Sequence, residues 1–534
     1  MNDSKSQVFS KEYKSDGELK SIHYTNGDVA RVLTVSGGGI SDRKCICHEH
    51  IENGVKSTTC IPILEDRTQS GKVRPWRKKK ASNMLLADIY EDLSTQYDTY
   101  YLKRAERLRS CASFLKFLVI DDDRNILKLK KMNNSCRVRL CPMCAWRRTL
   151  KISSHARKIF NYVETDEQYS NKYDYLLLTL TVPNCSGDAL SDTITHLMKS
   201  FDRLMKRREL KKIVKGWYRG LEVTFNKFEI ITDGLYKRCK GYFDTLGLSV
   251  GDKNPNFNTY HPHFHVILCV SKSYLSNHRV TDGYLSNEKW LQLWRECTKN
   301  DDITQVDVRP VKAKKRKRNP DVKEPVQQNG LIDAICEVTK YAVKDKDYIV
   351  SWDWELSKEC VKVLDGALAY RRLIAWGGIL KDIHKKLNLD DEIDGDLINI
   401  DDDDDNITLP EGNILEISAF WHVGYNEYVI YDCKEKTLRE IQEDECKEKH
   451  CRDVKKYNKN VKRNRFEKQS KNYDTPCTFE FDVPTTDLEE FKQYLESKNH
   501  EKTTVLCEKS KKINENDTQL VLDSLEVFEL DNKK

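Results

Sequence analysis

The stretch TYHPHFHVIL, residues 259–268, sets three histidines at alternate positions: His261, His263 and His265. In a β-strand, residues i, i+2 and i+4 share one face. The three imidazoles therefore project together, while Phe264 and Val266 point the other way into a core. Pro262 cannot donate to a ladder, so it belongs near the start of the strand or at a sheet edge. Two imidazoles one strand step apart can grip a single divalent cation. The plainer alternative is a polar face on an edge strand. For a His-x-His pair inside a β-type apolar run, metal is the better reading, with His263 and His265 as the pair and His261 as a further candidate.

A metal centre needs a third ligand. Glu222 lies in RGLEVTFN, a single carboxylate among apolar residues. A charge inside such a strand is costly unless it is paired or bound to metal. A surface-facing glutamate at an alternating position is the competing explanation, and the sequence leaves both open. Further on, EVTKY sets Glu337 and Tyr341 four apart in a segment expected to be helical over 329–344, so both lie on one face. A tyrosine hydroxyl can attack phosphorus where metal and basic groups stabilise the developing charge. Glu337 can serve as general base, and Lys340 and Lys344 can meet phosphate. Alone, this is a common helix-surface pair in a chain with 25 tyrosines. It gains weight beside a metal site.

The segment CRVRLCPMCAWRR holds Cys136, Cys141 and Cys144, and Cys111 is the nearest upstream candidate for a fourth ligand. Cys-Pro-x-Cys makes the tight turn of a zinc knuckle, and four cysteines would close a structural zinc site. Buried cysteines without metal are the alternative. The chain lacks an apolar leader and any run of 18 apolar residues, so a cytoplasmic location is expected. In a reducing compartment clustered cysteines read as metal ligands before disulfides. Arg137, Arg139, Arg147 and Arg148 flank the cluster and suit phosphate contacts.

Charge divides the chain. Net charge is only +6, from 91 basic and 85 acidic residues, but it is unevenly spread. RPWRKKK (74–80), residues 206–212 and residues 312–318 are basic runs, and residues 390–405 are strongly acidic. Residues 1–80 are polar and lysine-rich, and are expected to form a loosely ordered arm, with CICHEH (45–50) a loose thiol-rich loop. Residues 81–160 form a helical segment carrying the cysteine site, and 161–388 the histidine and tyrosine domain. Residues 389–412 are an acidic linker. Residues 413–534 are a charged extension with a hairpin turning near GYNE and a small terminal unit. Strands are expected over 173–184, 217–226 and 263–270. Helices are expected over 196–210 and 284–298, and over 364–387 with an interruption at Gly377-Gly378.

The order RPWRKKK, CRVRLCPMCAWRR, LLLTLTVPN, RGLEVTFN, YHPHFHVIL, EVTKYAVK resembles the rolling-circle replication initiators (Rep proteins) of small bacterial plasmids, over roughly residues 74–430. That family belongs to the HUH endonucleases, and His263-Phe264-His265 would be its metal-binding pair. The resemblance gives LLLTLTVPN a structural role, Tyr341 the role of nucleophile and Glu337 that of promoting a terminating hydrolysis. Glu222 matches the carboxylate of the preceding strand. The implied fold is α+β: an HUH-type antiparallel sheet with flanking helices, preceded by a small zinc-binding lobe and followed by a charged extension. The implied activity is metal-dependent nicking and rejoining of one strand at a plasmid origin, through a 5′-phosphotyrosyl intermediate. Its cofactor would be Mg²⁺ or Mn²⁺. Its partners would be origin DNA, double- and single-stranded, and no membrane. A host helicase and polymerase are implied as well, since no G-x-x-x-x-G-K-[ST] motif occurs. Two rival readings are an HUH transposase or relaxase, and a zinc-containing DNA-binding regulator without catalysis. The long acidic and C-terminal segments have no counterpart in the family pattern.

Overall fold

The apolar runs in the middle of the chain become adjacent strands of one antiparallel sheet in the computed structural model. The structure describes residues 8–13, 19–24, 29–35, 43–52, 55–97, 99–132, 134–276, 283–311, 330–339, 343–389, 397–398, 412–444 and 446–447. The chain divides into two compact units, Met1–Leu438 and Arg439–Lys534. All the elements below lie in the first.

In chain order, five strands come first: β1 (Val8–Tyr13), β2 (Leu19–Tyr24), β3 (Val29–Val35), β4 (Arg43–Glu52) and β5 (Val55–Pro62). Helices α1 (Trp76–Tyr97) and α2 (Thr99–Ser110) follow, then β6 (Phe114–Asp121), β7 (Ile126–Met132) and α3 (Pro142–Thr165). Next come β8 (Tyr173–Thr181), α4 (Leu190–Lys206), α5 (Arg208–Ile213), β9 (Val214–Asn226), α6 (Asp233–Arg238), α7 (Lys240–Thr245) and β10 (Thr259–Ser271). The chain continues through α8 (Ser273–Ser276), α9 (Asn287–Thr298), β11 (Asp307–Pro310), α10 (Gly330–Val338), α11 (Asp345–Tyr348) and α12 (Trp354–Leu368). It closes with β12 (Ile374–Gly378), α13 (Ile379–Lys386), β13 (Ile414–His422) and β14 (Glu427–Lys436).

The central sheet has the order β11-β8-β10-β9-β12, which puts the histidine strand in the middle. Both faces are covered. Leu178, Leu180, Phe264, Val266 and Leu268 pack in one core with Ile194, Leu197 and Phe201 of α4 and Trp290 and Trp294 of α9. Tyr175, Tyr218, Ile267 and Cys269 face Ile152, Ala156, Ile159 and Phe160 of α3, together with parts of α10 and α13. Burial on two sides is why residues 264–270 are almost continuously apolar instead of alternating. Only the 261–265 end departs from this, and there the polar face is the site. The architecture is thus α+β, with antiparallel sheets and flanking helices.

The structure corrects several expectations. Residues 8–62 carry a five-stranded antiparallel meander, β1 to β5, where a loose arm is expected. CICHEH lies inside β4, with Cys45, Ile46 and Cys47 buried, and Ile46 packs with Ile63 and Val429. The helix expected over 364–387 is instead the end of α12, then β12, then α13. Gly378 has φ +56°, and a side chain on Gly377 would strike the Trp217 ring. A continuous helix cannot pass through Gly378 at this φ, and β12 instead pairs along the outer edge of β9 before α13 begins. The hairpin β13–β14 does not belong to a separate extension: β13 pairs with β6, giving a second sheet of order β14-β13-β6-β7. The helix expected over 329–344 ends at Val338. Lys340, Tyr341, most of the acidic linker and the expected terminal unit lie outside the described residues.

Candidate metal centre

Sheet register assembles the site. On β10, His263 lies opposite Glu222 of β9, and His265 lies opposite both Gly220 of β9 and Thr179 of β8. The Glu222 Oε2 atom is 3.2 Å from His265 Nε2 and 3.7 Å from His263 Nε2. The other nitrogen of each ring is already engaged. His263 Nδ1 is 3.1 Å from the His261 carbonyl oxygen, which can only accept, so Nδ1 carries the proton and Nε2 holds a lone pair in the neutral ring. His265 Nδ1 lies 3.3 Å from Thr179 Oγ1. Outer-shell partners of this kind fix ring orientation in metal sites. The three ligand atoms lie within 4.8 Å of one another, and a carboxylate with two Nε2 atoms suits a divalent cation. These residues therefore fit a metal.

Glu222 is only 5% exposed. Burial alone would raise its carboxyl pKa, but the imidazoles of His263 and His265 and the ammonium of Lys344 that face it outweigh this and hold it far below the usual carboxylate range. Lys344 Nζ sits 2.8 Å from Oε1, leaving Oε2 turned to the imidazoles. His261, the further candidate, does not join the ligand group. It stacks on His263 with centroids 5.1 Å apart and bonds the Val182 backbone. Burial and the neighbouring His263 depress its pKa to about 4.

A second element reaches the same point. Helix α10 crosses the sheet so closely that a β-carbon on Gly220 would collide with the Val338 carbonyl oxygen. This approach brings Glu337 Oε1 to 3.7 Å from His265 Nε2. A glycine inside an apolar strand is the sequence signal for such a contact, and it stood unread in RGLEV. Glu337 and Lys344, on either side of Tyr341 in sequence, thus both reach the Glu222–His265 group. Another tyrosine nearby in sequence, Tyr348, is buried, and its hydroxyl donates to the Leu140 carbonyl at 2.6 Å.

The cysteines also come together. Cys111 Sγ lies 3.8 Å from Cys141 Sγ and 3.5 Å from Cys144 Sγ, and Cys136 Sγ lies 3.7 Å from Cys144 Sγ. A tetrahedral zinc with Zn–S of about 2.3 Å requires S···S edges of about 3.8 Å, so the four sulfurs fit that ion. Cys141 caps α3, with Pro142 opening the helix and the Cys144 amide donating to Cys141 Sγ at 3.4 Å. The preceding turn depends on Arg137 at φ +54°. Sequence reasoning missed Lys80: wholly buried, its ammonium donates to the Arg109 and Cys111 carbonyls at 2.7 Å each. The flanking arginines divide. Arg147 is 4% exposed, lies against Trp76 and Trp146, and donates to the Leu397 and Ile398 carbonyls. Its donors are turned into the protein, which corrects its assignment as a phosphate contact. Arg139 donates to the Arg371 carbonyl, and burial lowers its pKa to about 10. Arg137 is exposed and Arg148 half-buried.

Comparison with known proteins follows the same residues. The family model described as Replication protein matches residues 127–429. The chain is 37% identical over 374 residues to a Protein rep of Bacillus amyloliquefaciens, covering 69% of this chain and 97% of that protein. It is 33% identical to a Protein rep of Streptococcus pneumoniae, covering 69% of this chain and 95% of the relative. A Protein rep of Lactiplantibacillus plantarum is also 33% identical, with 99% of its length covered. No solved structure matches the chain significantly. Among the described residues, no helix is long and apolar enough to cross a membrane.

Proposed function

This chain belongs to the Rep family of replication proteins, which are plasmid replication initiators, and on that premise we propose that it nicks one strand of its plasmid's origin and later rejoins it. The observation that carries this reading is the convergence of Glu222 Oε2 on the Nε2 atoms of His263 and His265, with Glu337 alongside. Those three ligands would hold a divalent cation, Mg²⁺ or Mn²⁺, which supplies Lewis-acid polarisation of the scissile phosphate.

Tyr341 supplies the nucleophile. Its hydroxyl oxygen forms a bond to phosphorus, the bond from phosphorus to the 3′-oxygen breaks, and the tyrosyl proton is lost as the leaving oxygen gains one. The products are a 5′-phosphotyrosyl link and a 3′-OH that primes synthesis. Lys344, and Lys340 beside the tyrosine, add positive charge where the phosphate charge develops. Glu337 takes a proton from water in the terminating hydrolysis. The four-cysteine cluster holds structural zinc, with Arg137 and Arg148 facing DNA. Origin DNA, first double- and then single-stranded, is the partner, and a host helicase and polymerase do the unwinding and synthesis.

The test uses supercoiled origin plasmid with Mg²⁺ or Mn²⁺. Wild type should give nicked circles and a covalent adduct on Tyr341 by peptide mass spectrometry. Tyr341→Phe should abolish both. His263→Ala and His265→Ala should stop nicking while DNA binding persists. Glu337→Ala should spare the first cleavage and slow termination by about 10²–10⁴, so that covalent or over-long single-stranded products accumulate. Undiminished nicking by either histidine variant removes the metal assignment. Wild type that binds origin DNA without nicking it returns the chain to the class of DNA-binding regulators.

A further inference from the structure

One cleft outside the metal centre is lined by the basic run that the chemistry leaves unused. It has a volume of about 890 Å³ and lies between residues 68–82, α3 and the segment 345–349. Lys72, Lys78, Lys79, Arg74, Arg157 and Lys346 line it, with Val73, Pro75, Leu150 and Ile349 as apolar wall. Asp345, its one carboxylate, is paired with Lys79 at 3.2 Å. Lys72, Lys78 and Lys346 are exposed, and among the described residues none of them pairs with a carboxylate. Arg74 is paired with buried Asp66 at 3.6 Å, so the open positive charge of the cleft is carried by the exposed lysines.

The cleft connects to the site through consecutive residues. Lys344 bonds Glu222, and the next two residues, Asp345 and Lys346, line the cleft. On the far side of Lys346, Lys227 donates to its carbonyl and sits 4.9 Å from the Trp352 ring centroid. Trp352 is 59% exposed, the most open tryptophan among the described residues. It stacks on Phe228 with centroids 5.3 Å apart and planes 19° apart, which holds one ring face in place. A basic cleft with an exposed, stacked aromatic beyond its Lys346 end is an arrangement suited to a single nucleic-acid strand: charge follows the backbone and the ring receives a base. A cleft of this size matches small-molecule pockets and does not seat a duplex.

We propose that this cleft and Trp352 form a binding track for the single DNA strand flanking the nick, with Lys72, Lys78 and Lys346 on its phosphates and a base on Trp352. The proposal rests on the origin-nicking reading and adds where the strand runs. The test measures fluorescence anisotropy of the full chain with a labelled dT strand of about twelve nucleotides, across a salt series. Removing three phosphate contacts with Lys72→Ala/Lys78→Ala/Lys346→Ala should weaken binding about 10- to 100-fold at low salt. It should also flatten the slope of log K against log salt by about 2, at roughly 0.7 per contact. Trp352→Ala should weaken binding about tenfold with an unchanged slope, and Trp352→Phe should restore most of it. A control with Lys128, Lys381 and Lys385 changed to Ala should bind as wild type.

Wild-type affinity and slope in the lysine variant, with wild-type affinity in Trp352→Ala, would overturn the track. So would duplex of the same sequence binding more tightly through the same residues, or a wild-type chain that ignores the dT strand. Nicking of origin plasmid, measured alongside, separates the two ideas. Intact nicking with unaltered strand binding by the variants sinks the track alone. Loss of strand binding in variants of a wild type that never nicks upholds the track and sinks the nicking reading.

Discussion

Lys80 shows what a single residue contributes that its own neighbourhood in sequence conceals. It sits in a basic run that looks solvated, yet its ammonium is wholly enclosed. Its hydrogen-bond partners are carbonyls 29 and 31 residues away. Burial lowers its pKa, and the four cysteines oppose that shift. Zinc with four thiolates carries a net charge of −2, so a buried cation beside it offsets charge that the interior tolerates poorly. Lys80→Met keeps the bulk and removes the charge. It should leave the cysteines in place yet weaken zinc by about 10- to 100-fold, the usual effect of altering an outer-shell partner. Chelator competition on the purified chain, which should hold one zinc, would measure this. Unchanged competition would mean that Lys80 acts only as a hydrogen-bond strut. His263, His265 and Glu222 were legible because alternation within a strand is local and a lone carboxylate among apolar residues stands out. Lys80 was not, because its meaning depends on a fold that returns α2 to α1.

Elements were legible where their pattern was internal to them. The strands β8 and β10 carry apolar runs and β9 a β-type run interrupted by Arg219 and Glu222, and α4 and α9 carry clear amphipathic stripes. Strand β12 reads as helix in the sequence, since its five residues, IAWGG, have no alternation and owe their conformation to the edge of β9. The meander β1 to β5 was hidden in the same way, by polar strands that gain order from pairing with one another. The contact between α10 and β9 is the test case at this scale. Gly220→Ala would force the helix and sheet apart against the Val338 carbonyl. Overpacking of this kind costs about 1–3 kcal/mol. It would also move Glu337 away from His265, and misplacement by about 1 Å can cost about 10² in rate, a cost that falls on the terminating hydrolysis proposed for Glu337. The expected outcome is an unfolding temperature lowered by a few degrees, with the first cleavage spared and termination slowed about 10- to 100-fold, measured by thermal scans and by the covalent or over-long single-stranded products that accumulate. Normal termination by a destabilised Gly220→Ala protein would show that the placement of α10 on the sheet does not serve the site.

At the scale of the whole molecule, the hairpin β13–β14 decides where the folded unit ends. From the sequence it looks like part of a charged extension beyond an acidic linker. In the structure it completes the sheet of the cysteine lobe. β13 pairs with β6, the Trp421 amide donates to the Ser113 carbonyl at 2.8 Å, and the Tyr428 hydroxyl donates to the Ala112 carbonyl. Ile417, Ala419, Tyr428 and Ile430 share a core with Cys111, Leu115 and Phe117, and Ile63 bridges to Val429. The family match, which runs to residue 429, takes in most of the hairpin. Two truncations follow from this. A chain ending at Leu438 keeps the hairpin and stops where the first compact unit stops. It should bind one zinc, unfold within a few degrees of the full chain and nick origin plasmid. A chain ending at residue 412 loses several buried side chains worth about 1.5–3 kcal/mol each, on the order of 10 kcal/mol together. That is comparable to the whole net stability of a domain, about 5–15 kcal/mol. It also strips β6 of one of its two partner strands, close to Cys111, the first of the four clustered cysteines. This shorter chain should fail to retain zinc and should aggregate or melt without a cooperative transition. Metal analysis and calorimetry of the two proteins side by side give the answer. A soluble, zinc-loaded chain ending at 412 would show that the cysteine lobe folds without the hairpin.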